Sequence, residues 1–169
     1  MKNIFGFLCA VLLLCSCDVE PEVSHLAPTN WEERTVTTIP GDSLESGKTY
    51  LSIYSQIYSR TQHQMHGLTA TASIRNTNER DTIYITRAEY FDEKGVSVRT
   101  YFDRPIYVAP LESVEIVIDE RDREGGAGAK FLFDWQIQPG SLEPLIEGVM
   151  VSTSGQQGLS FITFGRRIR

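Results

Sequence analysis

The chain has 169 residues, with 16 Lys and Arg against 22 Asp and Glu, for a formal charge of −6. That balance argues against nucleic acid as a partner, because phosphates demand a basic surface, and against electrostatic docking on anionic lipid. All three cysteines lie at or before residue 17, so the rest of the chain has no disulfide, thiolate metal site or cysteine nucleophile.

In chain order, Lys2 precedes an apolar run from Ile4 to Leu14 that is relieved only by Gly6. The run is far shorter than the ~20 residues a membrane-crossing helix needs, and a short apolar core behind a basic start reads as an export signal over residues 1–16. Leu14-Cys15-Ser16-Cys17 then resembles the bacterial lipobox, which implies a lipid on Cys17. The expected location is the cell envelope, on the periplasmic side of a membrane or at the cell surface. Attachment would be covalent, through that lipid.

Residues 17–47 read as the lipidated cysteine and a flexible tether, with Pro21, Pro28 and Pro40 among scattered acids and no sustained periodicity. A coil of about 30 residues spans roughly 30 Å, enough to lift a domain off a headgroup layer. Trp31 and Val36 are apolar exceptions able to pack on that domain. Residues 48–169 form one domain's worth of chain, enough to bury roughly two-thirds of its unfolded surface.

Period-two alternation dominates this domain. It runs through Leu51–Ile57, Leu68–Arg75, Thr82–Asp92, and the rows Val96-Val98-Phe102 and Val114-Ile116-Ile118. It continues through Phe131-Phe133-Trp135-Ile137, Ile146–Thr153 and Leu159-Phe161-Thr163. Such alternation marks half-buried strands. Between them, Asp92-Glu93-Lys94-Gly95 reads as a hairpin turn, with Gly95 suited to the left-handed position. Ala109-Pro110-Leu111-Glu112 is a second turn, and Asp119 to Ala129 a polar, glycine-rich loop. Short strands at this spacing predict an all-β fold: a single immunoglobulin-like antiparallel β-sandwich of about eight strands.

Several segments together resemble the family catalogued as domain of unknown function 3124. They are Tyr54–Tyr58, Ser73–Asn78, Tyr90–Gly95, Gly125–Phe131, Trp135, Gly155–Phe161 and Gly165-Arg166. The resemblance implies a bacterial envelope protein, commonly a lipoprotein, with no established activity.

Four groups of residues offer chemistry. Tyr50, Tyr54 and Tyr58 alternate with aliphatic neighbours and are expected to line the outer face of one strand, where tyrosine suits protein or glycan contact. His63 and His66 have a spacing able to bring two imidazoles to one metal, but a site needs a further ligand; they are read as solvated loop residues. Asp119 and Asp122 lie in a loop with oxygen ligands for calcium, although Arg121 and Arg123 cancel much of its charge. Gln156 and Gln157 sit between glycines in the last long loop. If successive strands each span the sandwich, loops alternate between its ends. The segments at His63–His66, Asp92–Gly95, Asp119–Gly128 and Gly155–Gly158 then share one end, while Pro105, Pro110, Pro139 and Pro144 occupy the other. Loops gathered at one end of a sandwich commonly carry binding.

No glycine-flanked serine elbow or phosphate-binding loop is present, so no catalytic residue and no cofactor is expected. The leading expectation is a non-enzymatic module that binds another envelope protein. A small-ligand or calcium-binding sandwich comes second, and a hydrolase is a distant third.

Overall fold

The computed structural model describes residues 29–41, 43–153 and 158–169. Its strands, in chain order, are β1 (Glu45–Ser52), β2 (Gln56–Ser59), β3 (Thr61–Gly67), β4 (Thr69–Arg75), β5 (Ile83–Phe91) and β6 (Ser97–Phe102). They continue with β7 (Ile106–Val108), β8 (Ser113–Ile118), β9 (Lys130–Ile137), β10 (Leu145–Ser152), β11 (Leu159–Phe164) and β12 (Arg166–Arg167). One sheet runs β12-β1-β9-β5-β6, with β7 also on β5, and the second runs β11-β10-β4-β8. A separate hairpin pairs β2 with β3. All the pairings are antiparallel.

The period-two rows become the core. Phe131, Phe133, Trp135 and Ile137 are buried on alternate positions of β9, facing Ala70, Ala72 and Ile74 of β4 and Val114, Ile116 and Ile118 of β8 within one cluster. Phe131 stacks on Phe133 at 5.2 Å, and the Trp135 indole N–H donates to Thr49 Oγ1 at 2.9 Å. These buried side chains supply the main driving force, at roughly 25 cal/mol per Å² of apolar surface removed from water.

The sandwich carries more strands than the alternation predicts, for three local reasons. The segment Leu51–Ile57 is not one strand. The chain leaves the first sheet after Ser52, and Ile53 N–H donates to Ala129 O while Leu68 N–H donates to Ser55 O. A projecting hairpin follows, turning at Arg60 with φ 62° and no glycine to announce it. On the β5 edge, the chain segment through Pro105 forms an interruption between β6 and β7, which pair with successive stretches of β5. Pro105 therefore lies along a sheet edge rather than at an end of the sandwich, where a proline without an N–H is tolerated. The same irregular pairing, with register shifts at Ala88/Glu89 and Tyr90/Phe91, leaves Val96 in the exposed turn instead of an inward row. Gly95 takes the left-handed conformation expected of it, at φ 82°.

The tether expectation needs correcting at its C-terminal part. Trp31 packs on Phe102 with ring centroids 5.0 Å apart. Val36 N–H donates to Pro105 O, Tyr107 N–H donates to Arg34 O, and Arg34 bonds Glu112 at 2.6 Å. Residues 29–36 thus form an arm laid along β7 and the 109–112 turn. The physical reason is Trp31, whose apolar area is better buried than hydrated. The signal segment, Cys17 and the first part of the tether lie outside the described residues.

Candidate binding end of the sandwich

The ladders determine which loops meet. Ser52 and Phe91 both stand opposite Lys130, the first residue of β9. In the other sheet Ala70 stands opposite both Ile118 and Met150, and Ser152 opposite Leu159. The β2–β3 hairpin, the 92–95 turn, the 119–129 loop and the strand ends at Ser152 and Leu159 consequently share one end. Gln156 and Gln157 lie outside the described residues; the strand ends that flank their segment are at this end.

Arg99 is the organising residue, and it is hidden in the sequence because it sits in an ordinary strand row. Its guanidinium donates to Asp122 Oδ2 and to Glu124 Oε2, each at 2.9 Å, and to the Tyr101 hydroxyl at 3.2 Å. Burial works against its charge, but the bonds to Asp122 and Tyr101 outweigh that and hold its pKa above the ordinary arginine value. Burial likewise raises the pKa of Tyr101, and Arg99 offsets this in part. Asp119 lies outside this cluster. Its exposed carboxylate accepts from Arg121 Nε at 3.0 Å and from the Arg121 backbone N–H at 2.8 Å, which lowers its pKa. Asp119 and Asp122 are therefore near in sequence but serve different arginines.

These pairs bear on the calcium expectation, since carboxylates already facing guanidiniums are poorly placed to strip the hydration shell of a cation. No group of three or more His, Cys, Asp or Glu among the described residues could hold a metal ion. The two histidines stand on strand β3 rather than in a loop; His63 is exposed, as expected, while His66 is half-buried. His66 Nε2 lies 2.8 Å from Ser152 Oγ, whereas His63 Nε2 lies 3.2 Å from Gln62 Nε2.

Beneath the loop lies Tyr90. Its ring packs 5.0 Å from that of Phe131, and its buried hydroxyl makes no well-formed hydrogen bond among the described residues, although the Ser55 hydroxyl lies near it. Burial pushes its pKa up to about 12, an effect that Ser55 offsets only in part. Ser55 directs its own hydroxyl to Gly126 O at 3.3 Å. Gly125 crosses directly over the phenol, and a Cβ there would sit 1.7 Å from the Tyr90 oxygen. The glycine-rich segment of the 119–129 loop is thus needed for close approach to the core.

The expected tyrosine face is broken up. Tyr50 is half-buried on the outer face of β1, opposite Leu132. Tyr54 lies past the end of β1, with its ring edge-on to Phe161 at 5.8 Å. Only Tyr58 is freely exposed, at 62%, on the projecting hairpin beside Met65. The break follows from the chain leaving the sheet after Ser52, which a continuous alternation conceals.

The opposite end has a different character. Asn76 is buried, and its amide N–H₂ lies 2.7 Å from Asp81 O and 3.0 Å from both Val108 O and Ala109 O. Its oxygen accepts from the backbone and side-chain nitrogens of Asn78, and Asn78 in turn grips Leu142 through both N–H and C=O. Two asparagines thereby tie the 76–82, 109–112 and 138–144 connections together.

A two-sheet antiparallel sandwich with one tied end and one end of longer, polar segments is the class that this geometry defines. A family model described as "Protein of unknown function (DUF3124)" matches residues 46–168, and the chain belongs to that family. No curated protein matches the chain. Among solved structures it is similar to one titled "Crystal Structure of Thermotoga maritima 1070", at 10% identity and a TM-score of 0.46, over 71% of this chain and 92% of that one.

Proposed function

We propose that this protein is a non-enzymatic binding module, held at the bacterial envelope by a lipid on Cys17, which recognises another envelope protein through the loop end of its sandwich. The observation that carries the proposal is the asymmetry between the two ends. One is closed by the Asn76–Asn78 network. The other presents an exposed aromatic, Tyr58, with Met65 on the hairpin and charged side chains at Asp119, Arg121 and Glu124. An apolar anchor surrounded by charge is the usual anatomy of a protein-recognition patch. Arginine–carboxylate pairs beside aromatic rings supply contact and orientation, and they offer no evident nucleophile or general base.

Substitution with capture tests this reading. Tyr58→Ala and Met65→Ala, together with alanine at Gln156 and Gln157, should leave the thermal transition nearly unchanged, since surface changes usually fall within about ±0.5 kcal/mol. Recovery of one specific partner from crosslinked cells should fall several-fold. Undiminished capture in all of these variants, with loss on Tyr50→Ala, would move the site to the outer face of the first sheet. Release of Cys17→Ser from the membrane fraction tests the anchor separately, and unchanged membrane partition would refute it.

A further inference from the structure

Away from the loop end, the outer face of the first sheet holds a depression of about 160 Å³. Its side chains come from three strands. The β1–β9 register sets Ser46 opposite Gln136 and Lys48 opposite Asp134. Period two therefore brings all four to the outer face, while Gly47 and Trp135 turn inward. On β5 the ladder to β9 slips between Ile85 and Arg87, which leaves Thr86 as an extra residue. Such a bulge bends its strand and re-aims a side chain, and the half-buried Thr86 lines the depression. The floor is fixed from below. The Trp135 indole lies so close to Gly47 that a Cβ there would sit 2.1 Å from it, and its N–H donates to Thr49. Arg169 forms one wall, and its carbonyl accepts from the Lys48 N–H at 3.2 Å.

The chemistry of this lining is mixed rather than of one sign. Lys48 Nζ lies 2.9 Å from Asp134 Oδ1, and both side chains are half-buried. Beyond that bond an ammonium has two further N–H donors, and a carboxylate has a second oxygen. The Ser46 and Thr86 hydroxyls and the Gln136 amide add groups that both donate and accept. A free cation here would meet Lys48, and a free anion would meet Asp134. The ligand that fits is neutral and dense in groups that donate and accept at once. Vicinal hydroxyls on a sugar ring have that character, and their spacing suits a donor and an acceptor held in hydrogen-bond contact. Tyr50 completes the set, two residues beyond Lys48 on the same face and half-buried. The C–H face of a pyranose can pack on such a ring while the phenol oxygen stays wet. A peptide would need a free sheet edge or a hydrophobic groove, whereas β9 at the centre of this site is paired on both sides.

We propose that this depression binds a neutral pyranose, with the Lys48–Asp134 pair taking a vicinal diol and Tyr50 the C–H face. The site lies on a different surface from the loop end and stands or falls separately from the protein partner proposed above.

Saturation-transfer NMR on the full chain, in a detergent without a sugar headgroup, tests this with galactose, mannose, N-acetylglucosamine and galacturonate as probes. At least one of the neutral sugars should receive saturation. Asp134→Asn, which keeps the side-chain shape, should weaken that binding about tenfold, since a hydrogen bond to a charged group is worth roughly a decade or more. Tyr50→Ala should weaken it as well, and Tyr50→Phe should restore it, with circular dichroism unchanged in each variant. Glu147→Gln opens a comparable ion pair with Arg75 on the second sheet and should leave sugar binding as it was. Absence of saturation in every neutral sugar would overturn the proposal, as would saturation confined to galacturonate. Neutral-sugar binding that Asp134→Asn and Tyr50→Ala leave undiminished would place the sugar elsewhere and overturn it too.

Discussion

The Asn76 amide shares its two N–H donors among three carbonyls and accepts from both nitrogens of Asn78, so removing it orphans several buried groups together. Asn76→Ala should therefore cost roughly 2–4 kcal/mol, because each buried polar group left unpaired costs about 1–3 kcal/mol. Asn76→Asp should fail to rescue it, since a carboxylate cannot donate. Tyr90 is the converse case. Its buried hydroxyl makes no well-formed hydrogen bond among the described residues, so Tyr90→Phe should be neutral or stabilising by about 1 kcal/mol. A urea titration reads both, and a clearly destabilised Tyr90→Phe would reveal a partner for that hydroxyl. At the arm, the Arg34 hydrogen bond holds the Glu112 carboxyl below its ordinary range. A carboxyl depressed in the folded state adds stability above its unfolded pKa of ~4.3, and that stability is lost as pH falls through the lower folded value. Glu112→Gln should thus lower the unfolding free energy read from a urea titration at neutral pH, by about 1 kcal/mol or less for a partly exposed pair. The difference should disappear well below pH ~4, and a difference that persists in acid would assign the loss to packing.

At the scale of elements, legibility in the sequence followed periodicity. Strand β9 was readable because Phe131, Phe133, Trp135 and Ile137 alternate with polar residues, and all four are buried. Trp135→Ala should accordingly cost roughly 3–5 kcal/mol as a core cavity, and a nearly unchanged urea midpoint would contradict its central place. The β2–β3 hairpin was not readable. Alternation continues through Tyr54, Gln56 and Tyr58 while the chain departs from the sheet, and the turn at Arg60 carries no glycine or proline signal. Nor was Arg99, since pairing of a strand arginine with a loop twenty or more residues away depends on tertiary placement. The Asn76-Thr77-Asn78 and Gly125-Gly126 segments were legible as belonging to a family. Their physical roles, tying three connections and clearing the Tyr90 phenol, appear only when the partners are in place.

For the whole molecule, the end at which each loop falls is legible from strand count and antiparallel pairing alone. Among the described residues the alternation of ends holds despite the extra strands, since the β2–β3 hairpin leaves and returns at the same end and β6 and β7 run along β5 as one interrupted edge. Pro105 is the exception, because it lies in that interrupted edge. What this placement cannot supply is the identity of anything bound, which depends on surface chemistry. Site-specific photocrosslinking in intact cells tests most directly whether the loop end is the recognition surface. A photoreactive residue would replace Tyr58 or Arg121 at the loop end and, in parallel, Leu111 or Leu142 at the tied end; all four are exposed. One discrete adduct is expected from the Tyr58 and Arg121 positions and none from the Leu111 and Leu142 positions. Adducts arising only from Leu111 and Leu142 would contradict it.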